Sequence, residues 1–126
     1  MPYIYSEVAQ LENHELVGSG SCVSLIQHFG SVPNHRLWKE GAQVKGNLMI
    51  KIGTAVATFE DGKYPNRDHG NHAAFYMGQD AGGVYVMDQW VRKGKVSKRK
   101  MSYRGKNADG SYIAASDNGA ALSIIE

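Results

Sequence analysis

Four small residues, Gly18-Ser19-Gly20-Ser21, run directly into the single cysteine of the chain, Cys22, and an apolar segment leaves from it. Val23, Ile26 and Phe29 recur at intervals of three, and Leu25 and Phe29 stand four apart, the spacing of one helical face. Ser19 or Ser21 is available to cap the first turn. Gly30 predicts the stop, with Pro33 just beyond it. Any fold for this sequence must therefore make a tight glycine turn and open a helix at Cys22.

The unpaired N–H groups and the positive end of the dipole lie in the first turn of a helix. A thiolate is stabilised there, and the thiolate is the nucleophilic form of cysteine. The glycines let a substrate carbonyl approach the backbone, and the Cys22 N–H can face a developing oxyanion. The plainer reading, a small inert cysteine in the core, stays open on this stretch alone.

The 126 residues predict one domain, spanning 1–126. With 42% hydrophobic and 21% charged residues, the chain has the make-up of an ordinary globular protein. No apolar run approaches the roughly 18 residues of a membrane span, so membrane insertion is not expected. Met1-Pro2-Tyr3-Ile4-Tyr5-Ser6-Glu7 lacks the basic and apolar regions of a signal peptide, which predicts synthesis in the cytoplasm. A lone cysteine excludes an internal disulfide and any multi-cysteine zinc site. No metal-ligand spacing appears, and neither metal nor cofactor is expected.

Taken in order, residues 6–12 predict a short helix capped by Ser6. Residues 34–41 form a polar connection anchored by Trp38, and 43–52 a loop leading into a strand at 54–59. A polar loop follows to Gly70. Strands are then predicted at 72–78 and 84–90 around a turn at 79–83, at 98–103, weakly at 112–115, and at 121–125. The class is α+β, with the helices early.

The 72–90 hairpin carries the second informative residues. With the turn centred on Asp80, His72 faces Asp88, Ala74 faces Val86 and Tyr76 faces Val84. Opposed Cβ atoms lie roughly 4.5–5.5 Å apart, within reach of an imidazole–carboxylate hydrogen bond. A slip of one residue would part the two side chains. Asp is depleted in strands, and a carboxylate among Val86, Met87 and Trp90 needs a partner. Held by Asp88, His72 has its tautomer fixed and its cationic form stabilised, ready to take a proton from Cys22. His69, in a loop beside Asp68, is the rival base. Without a partner, His72 is simply a satisfied histidine at a strand edge.

Ser19 and Gln89 are candidate oxyanion donors, and Tyr64, Tyr76 and Trp90 are candidate cleft walls, although aromatics near a hairpin are more often core. Arg92, Lys93, Lys95, Lys98, Arg99, Lys100, Arg104 and Lys106 follow one another without an intervening acid. A solvated strand edge guarded by lysines accounts for this run; attraction of an anionic partner is the alternative. Nucleic acid fits less well, since only Tyr103 is interleaved.

Gly-Ser-Gly-Ser-Cys22, Trp38-x-x-Gly41-x-x-Val44, the segment Gly53–Phe59, Gly70-Asn71-His72-Ala73 and Val86-Met87-Asp88-Gln89-Trp90 together resemble the papain-like amidases of the NlpC/P60 and CHAP group. More closely, they are similar to the small peptidoglycan amidase effectors of type VI secretion. The resemblance covers residues 15–92. It implies a papain-like fold, with the nucleophile helix packed on an antiparallel sheet that carries the base. It also implies a peptidoglycan peptide amidase with Cys22 as nucleophile, His72 as base and Asp88 as orienting residue. An antibacterial toxin of this kind is delivered to the periplasm of a target bacterium and is neutralised by an immunity protein over the cleft. The alternatives are a thiol peptidase or acyltransferase acting on protein, or a non-catalytic cell-wall or protein binder.

Overall fold

The computed structural model describes all of residues 1–126. One α-helix, α1 (Cys22–Gly30), packs on a six-stranded sheet. The strands are β1 (Glu40–Gln43), β2 (Ala55–Thr58), β3 (Ala73–Asp80), β4 (Gly83–Asp88), β5 (Ser97–Ser102) and β6 (Leu122–Ile125). Their order is β1-β6-β2-β3-β4-β5, and every pairing is antiparallel. The α+β class and the helix-on-antiparallel-sheet arrangement expected from the sequence are therefore the ones observed. No helix is long and apolar enough to cross a membrane.

Alternation along the strands divides the apolar residues between two cores. Ala55, Ala57, Ala73, Phe75 and Met87 join Val23, Leu25 and Ile26 of α1 on one face. Val56, Ala74, Tyr76, Val84, Val86, Leu122 and Ile124 form the other, closed by Val44 and Met101. Both faces being covered, β2 and β6 are buried at every position, which is why they are mostly apolar without alternation, Thr58 and Ser123 being their polar members.

Local predictions fail where the chain has little periodicity. The N-terminal helix is only a 3-10 turn, Val8–Leu11; Glu7 occupies its cap position without a side-chain bond, so Ser6 caps nothing. β1 was not foreseen within the connection around Trp38. The weak strand at 112–115 is absent: Lys106 and Tyr112 form an isolated bridge, and a 3-10 turn follows at Ala115–Asp117. Helix α1 runs through Gly30 and stops at Ser31, which takes the left-handed conformation expected of the glycine.

The hairpin register also differs from expectation, in a way that positions the site. Its tip pairs Asp80 with Gly83 and Gln79 with Val84, whereas further in Tyr76 pairs with Val86 and Phe75 with Met87. The shift falls between Tyr76 and Gly78. His72 therefore lies diagonal to Asp88 instead of opposite it, and the directly opposed pairing does not occur. The extra residue nevertheless restores the parity. Continued without it, the tip register would send His72 and Asp88 to opposite faces. Gly78 makes this possible with φ of +128°, a region that residues with a Cβ avoid. Gly78→Val is expected to lower stability by about 1–3 kcal/mol, read as an earlier urea midpoint, and to reduce activity in the molecules that remain folded.

Candidate active site

The Gly18–Ser21 turn delivers Cys22 to the first position of α1. Ser21, not Ser19, is the cap: its Oγ accepts from the Ser24 N–H at 3.2 Å. Cys22 is half-buried, and as the first residue of the helix its own N–H has no intrahelical acceptor. The fully buried, inert cysteine is thus not what the fold contains.

His72 comes in from the start of β3. Its backbone is fixed by two bonds to Thr58, the His72 N–H donating to Oγ1 at 2.9 Å and its carbonyl accepting from the Thr58 N–H at 3.0 Å. The ring is buried, and Nε2 meets Oδ2 of Asp88 at 2.7 Å. That leaves Nδ1 as the ring nitrogen able to exchange a proton with sulfur. Trp90, 37% exposed, sets its ring edge-on to His72 with centroids 6.2 Å apart.

Asp88 has no exposed surface, and three cations surround it. Besides His72, Arg99 Nε donates to Oδ2 at 2.7 Å and Lys93 Nζ to Oδ1 at 2.6 Å. Arg99 continues to Oδ1 of Asp117 at 2.7 Å, which also receives Arg104. The basic run is therefore not simply a solvated edge. Lys93 and Arg99 are turned inward, Lys100 is paired with Asp80 and Arg104 with Asp117.

These contacts set the protonation states. Burial pushes the Cys22 thiol up, but the hydrogen bonding and charge of His72, the Ala73 N–H and the Tyr64 hydroxyl bring it below its ordinary 9.0. Burial would depress His72, yet its bond to Asp88 and the neighbouring Cys22 raise it to about 9. Burial would likewise raise Asp88, and His72, Arg99 and Lys93 hold it down at about 2. The arrangement favours a thiolate beside an imidazolium, with Asp88 ionised throughout.

Of the remaining sequence candidates, Tyr64 reaches the site: its hydroxyl lies 3.8 Å from Cys22 Sγ and accepts from Asn71 Nδ2 at 3.2 Å. Ser19 stays exposed at the rim, its Oγ 2.8 Å from that of Ser24. Tyr76 is a core residue on the face away from α1, bonded to Gln79 and not part of the cleft. Gln89 is the clearest correction. It is fully buried, Nε2 donates to the carbonyls of Val17 at 3.0 Å and Ser21 at 2.7 Å, and Oε1 accepts from the Val17 N–H at 2.9 Å. With both amide hydrogens used, it holds the loop before Cys22 and offers nothing to an oxyanion. His69 is exposed and outside this constellation. Sequence reasoning missed Asn71, Lys93 and Arg99.

Residues 3–118 match the family model described as domesticated amidase effector 2. The chain belongs to this family. It is 47% identical over its whole length to the whole of the type VI secretion amidase effector 2 protein of Salmonella typhi. It superposes on a solved structure of type 6 secretion amidase effector 2 (Tae2) with a TM-score of 0.92 at 46% identity, covering 98% of this chain and 94% of that one. The expected resemblance to type VI peptidoglycan amidase effectors is thus borne out, and with it the papain-like fold class and an amidase activity. The NlpC/P60 and CHAP labels expected from the sequence are not among these matches.

Proposed function

We propose that the chain hydrolyses an amide bond in the peptide stems or crosslinks of peptidoglycan, with Cys22 as nucleophile, His72 as acid–base group and Asp88 as its orienting partner. The observation that carries this reading is the 2.7 Å contact between His72 Nε2 and a buried Asp88, beside a helix-tip thiol that is more acidic than an ordinary cysteine. The Cys22 thiolate attacks the carbonyl, and the negative charge moves to its oxygen. The free Cys22 N–H receives that charge. Tyr64, whose oxygen already accepts from Asn71, can turn its own proton to the same place. The His72 imidazolium then protonates the leaving amine, and water activated by the neutral ring cleaves the thioester. Trp90 shields the ring and forms one wall of the cleft; Ser19 lies at its rim.

The same reading extends to biology. The chain is made in the cytoplasm, carried into the periplasm of a target bacterium and blocked by a cognate immunity protein seated over the cleft. Its lone thiol has no internal partner with which to be oxidised there.

Alkylation by iodoacetamide across pH tests the chemical core. Cys22 should react well below the pH at which a free thiol does, since the thiolate persists down to its lowered titration point. Hydrolysis should fall as pH rises through about 9, where His72 loses the proton that the leaving amine needs. A Cys22 that alkylates only with the profile of a free thiol would overturn the assignment. Mass spectrometry of fragments released from sacculi and from a mixed protein substrate separates cell-wall hydrolysis from action on protein.

A further inference from the structure

Tyr64 faces two ways. Beyond its contact with Cys22, it lines a groove shared with His35, Arg36, Trp38, Lys39 and Lys63, and no Asp or Glu takes part in the lining. Two loops build this groove on fixed stems. In the first, Asn34 Oδ1 accepts from the Arg36 N–H at 3.0 Å, and Trp38 Nε1 donates to the Pro33 carbonyl at 2.8 Å. In the second, Glu60 and Lys63 exchange backbone bonds of 2.8 and 2.9 Å. The Trp38 and Tyr64 rings meet at 4.7 Å and give the groove a rigid aromatic wall.

The three cations differ from most others in the chain. Arg67, Lys93, Arg99, Lys100 and Arg104 are neutralised by carboxylates. Lys95 donates to Asn13, and Lys45, Lys98 and Lys106 lie over tyrosine rings. Arg36, Lys39 and Lys63 have no side-chain partner of any kind, and all three surround one concavity that begins at the nucleophile's neighbour. Three exposed, unpartnered cations around one concavity give it a positive potential that attracts an anion.

We propose that this groove binds a carboxylate of the substrate peptide close to the scissile amide, and so selects peptides that carry a free carboxyl group beside the bond to be cut. The proposal rests on the amidase reading above. Peptidoglycan peptides hold carboxylates off their main chain, whose oxygens suit a guanidinium fork and two ammonium groups. The site would act in binding and leave the chemistry at Cys22 and His72 unchanged.

The test uses paired peptidoglycan fragments, identical except that the carboxyl groups next to the cleaved amide are free in one and carboxamides in the other. The wild-type protein is compared with the triple variant Arg36→Gln, Lys39→Gln, Lys63→Gln, whose integrity is checked by the alkylation rate of Cys22. Amidation should cost the wild type about tenfold or more in kcat/KM, mainly through KM. The triple variant should cut both fragments alike, at about the wild-type rate on the amidated one. Equal cutting of both fragments by the wild type would overturn the proposal, as would an undiminished preference in the variant. Failure of the wild type on purified sacculi as well would overturn the amidase reading with it, and so is distinguishable from loss of the subsite alone.

Discussion

Cys22→Ala and His72→Ala should each reduce hydrolysis of purified sacculi by at least about 10⁴-fold, because nucleophile and base work as a unit. The double variant should be little worse than either single one, for the same reason. Neither change should unfold the protein. Cys22 is half-buried at the tip of α1, where the cap is supplied by Ser21. After loss of His72, Asp88 still accepts from Lys93 and Arg99. Cooperative thermal unfolding alongside absent turnover is the expected pair of results, unchanged in temperature for Cys22→Ala and somewhat lower for His72→Ala, which loses a buried ring and its bond to Asp88. Wild-type turnover by folded Cys22→Ala would end the thiol mechanism.

Asp88→Ala should behave differently, with a large loss of stability. The carboxylate is fully buried and holds three cationic partners. Its removal leaves Lys93 without a carboxylate and Arg99 with Asp117 alone, both beside an empty space, at a cost of about 3–5 kcal/mol. Asp88→Asn keeps the shape and loses the charge. His72, no longer supported from that side, should then titrate well below about 9, and the alkaline limit of activity should move down with it. Asp88→Asn should retain more activity than Cys22→Ala at neutral pH.

Denaturant midpoints across pH check the same group from the other direction. The Asp88 carboxylate stabilises the fold above its ordinary 3.8, and this contribution disappears as pH falls toward about 2. The His72 contribution is complete below its ordinary 6.5 and is lost as pH rises through about 9. In Asp88→Asn both dependences should flatten.

The helix at Cys22 and the shared face of His72 and Asp88 are legible in the sequence because both rest on short-range periodicity. A glycine turn followed by spacings of three and four can be little else, and an aspartate among apolar strand residues demands a partner. The register was misjudged by two residues because Gly78, next to the turn, gives no local sign that it belongs to a bulge. Arg99 was missed for a non-local reason. Val86 pairs with Arg99 and Asp88 with Ser97 across β4 and β5, which places the arginine on the same face as Asp88. Alternation with the buried Met101 was the available signal, since Lys98 and Lys100 point outward while Arg99 does not. Gln89 shows the limit for polar residues. A buried amide signals that something needs satisfying, yet nothing in the adjacent residues distinguishes a loop carbonyl from a substrate oxygen.

Asp88, Gln89 and Trp90 are consecutive, yet they serve the imidazole, the loop before Cys22 and the flank of the ring in turn. One tripeptide thus makes three contacts that keep the His72 ring and the loop before Cys22 in step. Adding or removing a single residue within it would disengage all of them together, whereas length changes in the exposed turn at 107–111 break none of these contacts. Divergence among sequences of this kind should accordingly leave the spacing of this tripeptide untouched while loop lengths elsewhere drift.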